Sequence, residues 1–418
     1  MPMRFKMNIK PLVFGSLATA FEWYDYALFG YFAKIISQQF YPSADPVTSL
    51  LSTFAVFASG FAMRPLGAIF YGYIGDRVGR KYALSASLLT MAAPTTLLGM
   101  LPTYDSIGIW ASIGLVLIRL FQGLAVGGNY GGSFIFVIEN APKGRQGFAG
   151  SLASFGTLGG LFLGSGAATL MTAIMSTENL ESFGWRIPFL LGSLSAIVGL
   201  AIRKYVPEHE GKAPKNQLPI KEILTQHKSS LLRSMGIILL DGVGVYVLFV
   251  FMTTYATLFL KMPEESVLFW NTVSMGSLVL FIPLFGWLGD RIGAKIVLAG
   301  VCLGFAVFSW PLYSWLINSR DVMALASLQL IFSCLMGAAY GTLPVLVTKA
   351  FPAHVRYTAA GVSFNVCVAV FGGTAPYVVT SLVDATHNLY IPAIAIILVG
   401  ILAGIALNRL PVVEENAV

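Results

Sequence analysis

The sequence predicts an all-α integral membrane protein with twelve transmembrane helices in two pseudo-symmetric six-helix bundles, and three observations carry that prediction. Hydrophobic residues make up 56% of the 418 and charged residues only 11%, with a mean hydropathy of +0.76, whereas a soluble domain carries about 25% charged residues. Apolar windows of roughly 20 residues, enough at about 1.5 Å per residue to cross ~30 Å of hydrocarbon, recur almost without pause from Leu12 to Leu410. The decapeptide Gly72-Tyr73-Ile74-Gly75-Asp76-Arg77-Val78-Gly79-Arg80-Lys81 returns in the second half of the chain as Gly286-Trp287-Leu288-Gly289-Asp290-Arg291-Ile292-Gly293-Ala294-Lys295, six positions identical and three similar. Its offset of 214 is close to the half-length of 209. A charged, glycine-rich connection between apolar windows, repeated at half the chain length, marks a duplicated membrane unit.

The elements follow in order. The first window, 12–36, comes after the basic residues Arg4, Lys6 and Lys10, and is interrupted by Glu22, Asp25 and the aromatics Phe21, Trp23, Tyr24, Tyr26, Phe29, Tyr31 and Phe32. No small-residue cleavage site ends it, so it reads as a span and not as a secretory signal. The second, 49–73, carries Arg64 and runs into the first decapeptide; the third is 82–102. The fourth, 108–138, holds Arg119, Gln122, Gly123, Gly127, Gly128, Gly131 and Gly132, and the fifth, 147–175, places Gly156, Gly160 and Gly164 on one face. Small residues four apart let helix backbones approach closely and slide. The sixth window is 186–205. Pro207 to Ser230 is the one long hydrophilic stretch; with Pro207, Pro214 and Pro219 it reads as a linker bearing a surface helix from Ile220. The domains expected are therefore 1–206, a linker 207–230, and 231–418.

The second bundle repeats the plan: 232–260 with Asp241, 267–288 running into the second decapeptide, 295–317, 322–350, 357–383 and 389–409. Gly337 and Gly341 match Gly123 and Gly127 at the offset of the decapeptide, and Glu139-x-x-Pro142-x-x-Arg145 maps onto Lys349-x-x-Pro352-x-x-x-Arg356 at an offset of 210 to 211.

Charge sets the orientation. With a cytoplasmic N-terminus, the cytoplasmic segments hold 20 of the 26 Lys and Arg residues, while the opposite loops carry almost none beyond Lys261 and Arg320. The positive-inside rule then makes both termini cytoplasmic. The net charge of +7 follows from this topology and from anionic lipid headgroups, with no nucleic acid partner. Cys302, Cys334 and Cys367 all fall within spans and read as small apolar fillers, with no disulfide framework and no metal site.

No GxxxxGK[ST] phosphate loop, HExxH or GxSxG elbow occurs. The chain therefore reads as a transporter and not an enzyme, without a cofactor, driven by an ion gradient or by the substrate's own gradient.

The decapeptide pair resembles the loop signature of the major facilitator superfamily, and Arg119-x-x-Gln122-Gly123 resembles its fourth-span signature. Glu22-Trp23-Tyr24-Asp25-Tyr26, Arg64-Pro65-Leu66-Gly67, Gly127-Gly128-Asn129-Tyr130-Gly131-Gly132, Gly184-Trp185-Arg186-Ile187-Pro188-Phe189 and Phe371-Gly372-Gly373-Thr374-Ala375-Pro376 together resemble the metabolite:proton symporter family. That resemblance implies a bacterial inner-membrane symporter, monomeric, taking a small polar substrate such as proline, betaine, 2-oxoglutarate, citrate or shikimate with protons, through a central site that opens alternately to either side. The sequence departs from the family at Asn129 and at Lys349, each where the family has Glu, and it ends soon after the last span, without a long coiled-coil extension. Loss of the Glu at 129 leaves a second transport reading: efflux or exchange of a carboxylate metabolite or siderophore with altered proton coupling.

Ionisable residues inside spans are costly and demand a reason. Glu22 and Asp25, three apart and so on one helical face, are expected proton acceptors. A dry site favours the neutral carboxylic acid, and water or an arginine favours the carboxylate. Asp241 is a third candidate, with a neighbouring-helix hydrogen bond as its alternative. Arg119 is expected as internal partner of these carboxylates or as substrate anchor, and each carboxylate could instead form a fixed structural pair with arginine. Tyr24, Asn129, Tyr130, Tyr246, Tyr255 and Asn365 are candidate substrate contacts, a tyrosine offering both a ring and a hydroxyl. Losing a Glu and gaining a Lys favours an anionic or zwitterionic substrate with a carboxylate. Arg64, Asp76, Arg77, Arg80, Glu139, Arg145, Asp290, Arg291, Lys349 and Arg356 are assigned to a cytoplasmic gate. In it, Asp290 and Arg291 should meet Lys349, which makes the gate asymmetric.

Overall fold

The structure, a computed structural model, describes residues 9–42, 46–206, 218–411 and 413. Among these there is no strand, and the chain is an all-α bundle of long helices. In hydrocarbon every backbone N–H and C=O must be satisfied within the chain, which a helix does by itself. The spans are α1 (Ile9–Tyr31, continued as Ala33–Phe40), α2 (Pro46–Arg77), α3 (Arg80–Met100), α4 (Ile109–Glu139), α5 (Gln146–Ile174), α6 (Thr177–Tyr205), α7 (Lys228–Phe259), α8 (Glu264–Ile292), α9 (Ala294–Ser319), α10 (Val322–Lys349), α11 (Arg356–Thr386) and α12 (Ile391–Asn408). Among the described residues ten helices, α3 to α12, are long and apolar enough to cross a membrane by length and composition. α1 has the length, and Glu22, Asp25 and its tyrosines lower its hydropathy.

The helices outrun the apolar windows because their polar ends stay helical, as at Arg77 and Glu139. α6 starts at Thr177 rather than 186: its first turns carry Asn179, Glu181 and a π-helical turn, Leu180–Gly184, that an apolar window misses. Behind them Trp185 is fully buried between Phe40 and Phe189, at 5.9 and 6.0 Å. Arg186 donates to the carbonyls of Gly99 and Leu101, at 3.1 and 2.6 Å, and so satisfies the end of α3. The expected surface helix is present as Pro219–Gln226, with Pro219 in its first turn. α7 already begins at Lys228, inside the expected linker, and 207–217 lie outside the described residues.

The repeated glycines have three separate uses. Gly79 and Gly293, equivalent positions of the decapeptide, have φ of 142° and 99°; they reverse the chain between α2 and α3 and between α8 and α9, in a region that favours glycine. Gly123 and Gly127 lie against the backbone of α2 at Gly60 and Arg64, and Gly337 and Gly341 lie against α8 at Leu278, Phe281 and Gly286. The same helix pair is thus welded in each half. Gly156 and Gly160 do this for α5 on α1, at Ser16 and Ala20. The third use is between the halves. A Cβ on Gly72 would lie 2.6 Å from the Thr358 Cα, and one on Gly147 would lie 2.6 Å from the Gly286 carbonyl.

Those contacts close the end of the molecule that carries the decapeptides. Farther along the same two helices, α5 and α8 part around an apolar crevice of about 540 Å³ lined by Leu158, Phe162, Thr272 and Met275 among others. The halves therefore meet at the repeat-bearing end and separate toward the other.

Overpacking a close backbone contact costs about 1–3 kcal/mol or more. Gly123→Leu, which drives a side chain into the Gly60 carbonyl, is expected to abolish the monodisperse peak of detergent-purified protein. Gly159→Ala, with nothing within 4 Å of a Cβ, should leave peak and melting temperature unchanged.

Candidate functional site

The ionisable side chains that the sequence singles out gather in two places, one closing the repeat-bearing end and one at mid-depth.

At the repeat-bearing end each decapeptide sends its aspartate into the other half. Asp76 accepts from the backbone N–H groups of Tyr357 and Thr358, at 3.0 and 2.9 Å, and from the Thr358 hydroxyl at 2.7 Å. Asp290 accepts from the N–H groups of Gly147 and Phe148, at 2.6 and 2.8 Å. The acceptors are equivalent positions of the repeat, and the donors stand at the offset of 210 that also relates Glu139 to Lys349. α11 and α5 thus receive equivalent caps: a helix N-terminus has unpaired N–H groups and a partial positive charge, so a carboxylate there is stabilising.

Around Asp76 the first half adds a network. Arg80 binds Asp76 at 2.6 Å, Glu139 at 3.1 Å, the Gly75 carbonyl at 2.7 Å and the Ala353 carbonyl at 2.5 Å. Arg356 from the second half reaches Glu139 at 3.0 Å and the Phe351 carbonyl at 3.2 Å. The second half lacks its counterpart: Arg80 maps to Ala294 and Glu139 to Lys349. Both partners of one ion pair are replaced together, and Lys349 supplies positive potential at Asp290. Asp290 contacts the α5 backbone rather than an ion-pair partner, and Arg291 lies 4.1 Å from the Trp287 ring. Arg77 bonds the Tyr73 hydroxyl on its own helix at 2.7 Å. Arg145 joins the second half's cluster, lining a pocket of about 380 Å³ with Asp290 and Arg291.

Arg64, assigned to the gate from the sequence, does not reach this end. It lies mid-way along α2, about 18 Å of helix before Asp76 at ~1.5 Å per residue. There its guanidinium is buried among Phe61, Tyr26 and Trp23, 4.2, 4.5 and 5.6 Å from their centroids, and donates to the Tyr26 hydroxyl at 3.3 Å. Glu22, fully buried, is its electrostatic partner. Neither group is satisfied: both Glu22 oxygens and Arg64 Nη2 have no hydrogen-bond partner among the described residues.

Asp25 is bound on all sides. Arg119 meets it at 3.2 Å, and Gln122 donates to it at 3.0 Å while also reaching Thr95 at 2.9 Å. Arg119 stacks on Phe29 at 3.6 Å. From the second half, Asp241 lies in the electrostatic neighbourhood of Tyr340. Tyr130 lies in the field of both Asp241 and Glu22, and Tyr246 in that of Arg64 and Asp241. Glu22 of α1 and Asp241 of α7, the first helices of the two halves, thus both act on Tyr130. α7 winds as a π-helix at Tyr246–Val250, a distortion that recurs at functional sites.

Four of the expected substrate contacts are hydrogen-bonded to backbone carbonyls. Asn129 donates to the Ala18 carbonyl at 3.0 Å and accepts from Ser133 at 3.0 Å, joining α4 to α1. Tyr24 bonds the Pro188 carbonyl at 2.9 Å, and Tyr255 bonds that of Leu389 at 2.7 Å. Asn365 donates to the carbonyls of Gly127 and Gly361, at 2.9 and 2.8 Å, across the seam between halves. The sequence does not single out Tyr340, Thr95, Tyr357 or Thr358, and it marks Gln122 only as part of the Arg119-x-x-Gln122-Gly123 signature.

The exchanged charges make a paired prediction. Lys349→Glu places a carboxylate near Asp290 with no counterpart of Arg80 to hold it, and should raise thiol labelling from the repeat-bearing side about fivefold, a loss of ~1 kcal/mol. Adding Ala294→Arg rebuilds the first half's arrangement and should reverse the change. Unchanged labelling from both sides in Lys349→Glu contradicts the assignment.

Comparison with known proteins agrees with this architecture. The sequence model described as Major Facilitator Superfamily matches residues 15–376. The proline/betaine transporter of Salmonella typhimurium is 33% identical over 426 residues, covering 96% of this chain and 83% of that protein. The shikimate transporter of Escherichia coli is 33% identical over 385 residues, covering 88% and 86%. Among solved structures, the proton:xylose symporter XylE bound to 6-bromo-6-deoxy-D-glucose superposes with a TM-score of 0.78 at 15% identity, covering 97% of this chain and 96% of that one. The E. coli fucose:proton symporter does so at 0.68 and 17%, covering 96% and 99%. This chain is a multi-pass membrane transporter and not an enzyme. With the family matched over most of its length and both halves accounted for, it belongs to the major facilitator superfamily.

Proposed function

We propose that this protein is a proton-coupled symporter that carries a small zwitterionic or anionic metabolite with a carboxylate across the bacterial inner membrane by alternating access. The halves divide at 207–230, the repeat-bearing end and both termini are cytoplasmic, and the chain works as a monomer. The observation that supports this reading most is the pair Glu22 and Arg64. Two buried, oppositely charged groups lie within each other's electrostatic field in the interior, each with polar atoms unfilled. A buried charge without partners is unfavourable, so the pair suits a ligand that supplies them. A carboxylate fits the Arg64 fork, and the rings of Trp23, Tyr26 and Phe61 wall the same place. Arg119, engaged by Asp25, is the weaker anchor.

Proton coupling falls to Glu22, Asp25 and Asp241. Asn129 cannot ionise and holds α1 to α4, so the work of the family's Glu at that position rests on those three. Asp25 is the carboxylate whose charge is set by Arg119 and Gln122: moving either would release it to take a proton.

In proteoliposomes, a one-unit inward pH gradient should drive about tenfold accumulation of one of proline, betaine, 2-oxoglutarate, citrate or shikimate, if one proton accompanies a net-neutral cycle. Glu22→Gln should abolish accumulation. Uptake insensitive both to the gradient and to Asp25→Asn overturns the coupling. Arg64→Lys keeps the charge and loses the fork; it should raise KM about tenfold with kcat little changed, read from initial rates.

A further inference from the structure

We infer that Glu222, His354 and His227 form a proton-operated latch that positions the cytoplasmic gate loop and slows its opening when the cytoplasm is acidic. This rests on the reading of the repeat-bearing end as a cytoplasmic gate.

The latch joins two elements that the transport cycle must move. Glu222 lies on the linker helix Pro219–Gln226, which packs through the fully buried Ile223. Its Oε1 is 2.6 Å from His354 Nε2 and 3.6 Å from His227 Nε2. His227 ends the linker helix; His354 lies in the connection between α10 and α11. That connection is the gate loop. Arg80 holds it from the first half through the Ala353 carbonyl, and it leads directly into Arg356 and the α11 N-terminus that Asp76 caps. The linker helix therefore grips from one side the loop that Arg80 grips from the other.

Other charged groups on the packed elements are engaged elsewhere or exposed. On α2, Asp76 is bound to Arg80 and α11, and Arg77 to Tyr73. On α11, Arg356 is bound to Glu139. On the linker helix and α7, Lys221 and Lys228 are exposed, and Arg233 bonds the Arg409 carbonyl. Two imidazoles are thus the groups facing the Glu222 carboxylate in these contacts, and histidine is the side chain that changes charge between about pH 5 and 8. With both protonated, a buried carboxylate is held between two cations, and the closed loop is favoured. With both imidazoles neutral, the attraction between opposite charges is gone and only a hydrogen bond from a neutral donor to the carboxylate remains.

The test uses the full chain in inside-out vesicles, with Cys302, Cys334 and Cys367 replaced by Ser and Ala360→Cys as reporter. Ala360 is buried beside Gly131 in the seam between halves. Labelling by an impermeant maleimide is followed from about pH 5.5 to 8, each rate expressed relative to Glu222→Gln at the same pH, which removes the thiol's own pH dependence. The native latch should label about fivefold more slowly than Glu222→Gln at the acid end, with the difference shrinking toward the alkaline end. His354→Lys, permanently cationic, should stay slow throughout. A ratio that does not vary with pH, or a His354→Lys variant that follows the native curve, overturns the latch. Absence of labelling in every variant at every pH contradicts the gate reading as well.

Discussion

The rest of the structure hangs on an exchange: the aspartate of each repeated decapeptide caps a helix that belongs to the other half. Asp76 occupies the N-terminus of α11 and Asp290 that of α5. Each carboxylate gains two charge-assisted hydrogen bonds and a helix dipole, together worth about 1–2 kcal/mol in a partly buried setting. Such a bond works only if the backbones come very close. That requirement explains why glycine stands at 72, 75 and 286, where a Cβ would strike Thr358, Tyr357 and Ser151 or Gly147. The decapeptide is therefore a clasp whose two ends are the same sequence used twice.

The two clasps are unequal. The first is reinforced by Arg80, Glu139 and Arg356, which tie three segments of both halves. In the second, Ala294 and Lys349 stand where Arg80 and Glu139 stand in the first. Taken singly, Lys349 looks like a fault, a positive charge beside Arg291. Taken with Ala294 it is a relocation, since the arginine that needed a glutamate has gone too, and the remaining lysine favours the ionised Asp290 cap.

The spans, the duplication, the glycine pairs and most of the closing charges are legible in the sequence because they depend on period, spacing and repetition. What stays hidden depends on which way a side chain points. Nearness to Asp76 along the chain assigns Arg64 to the gate; the intervening helical turns carry it to mid-depth, among Phe61, Tyr26 and Trp23. Asn129, Tyr24, Tyr255 and Asn365 have the chemistry of ligand contacts, and each spends it on a backbone carbonyl that the sequence could not reveal. Tyr340 has no repeat partner to mark it: its equivalent is Val126. The backbone donors of Tyr357 and Thr358 carry no sequence signal at all.

The most direct measurement is the separation between spin labels on the exposed Lys143 and Ile296 positions, in the intact protein in lipid nanodiscs, with and without Asp76→Asn combined with Asp290→Asn. Exchanged caps that hold the halves together predict one short distance in the native chain and a second, longer population when both caps lose their charge. An unchanged distance distribution in the double variant would contradict the account.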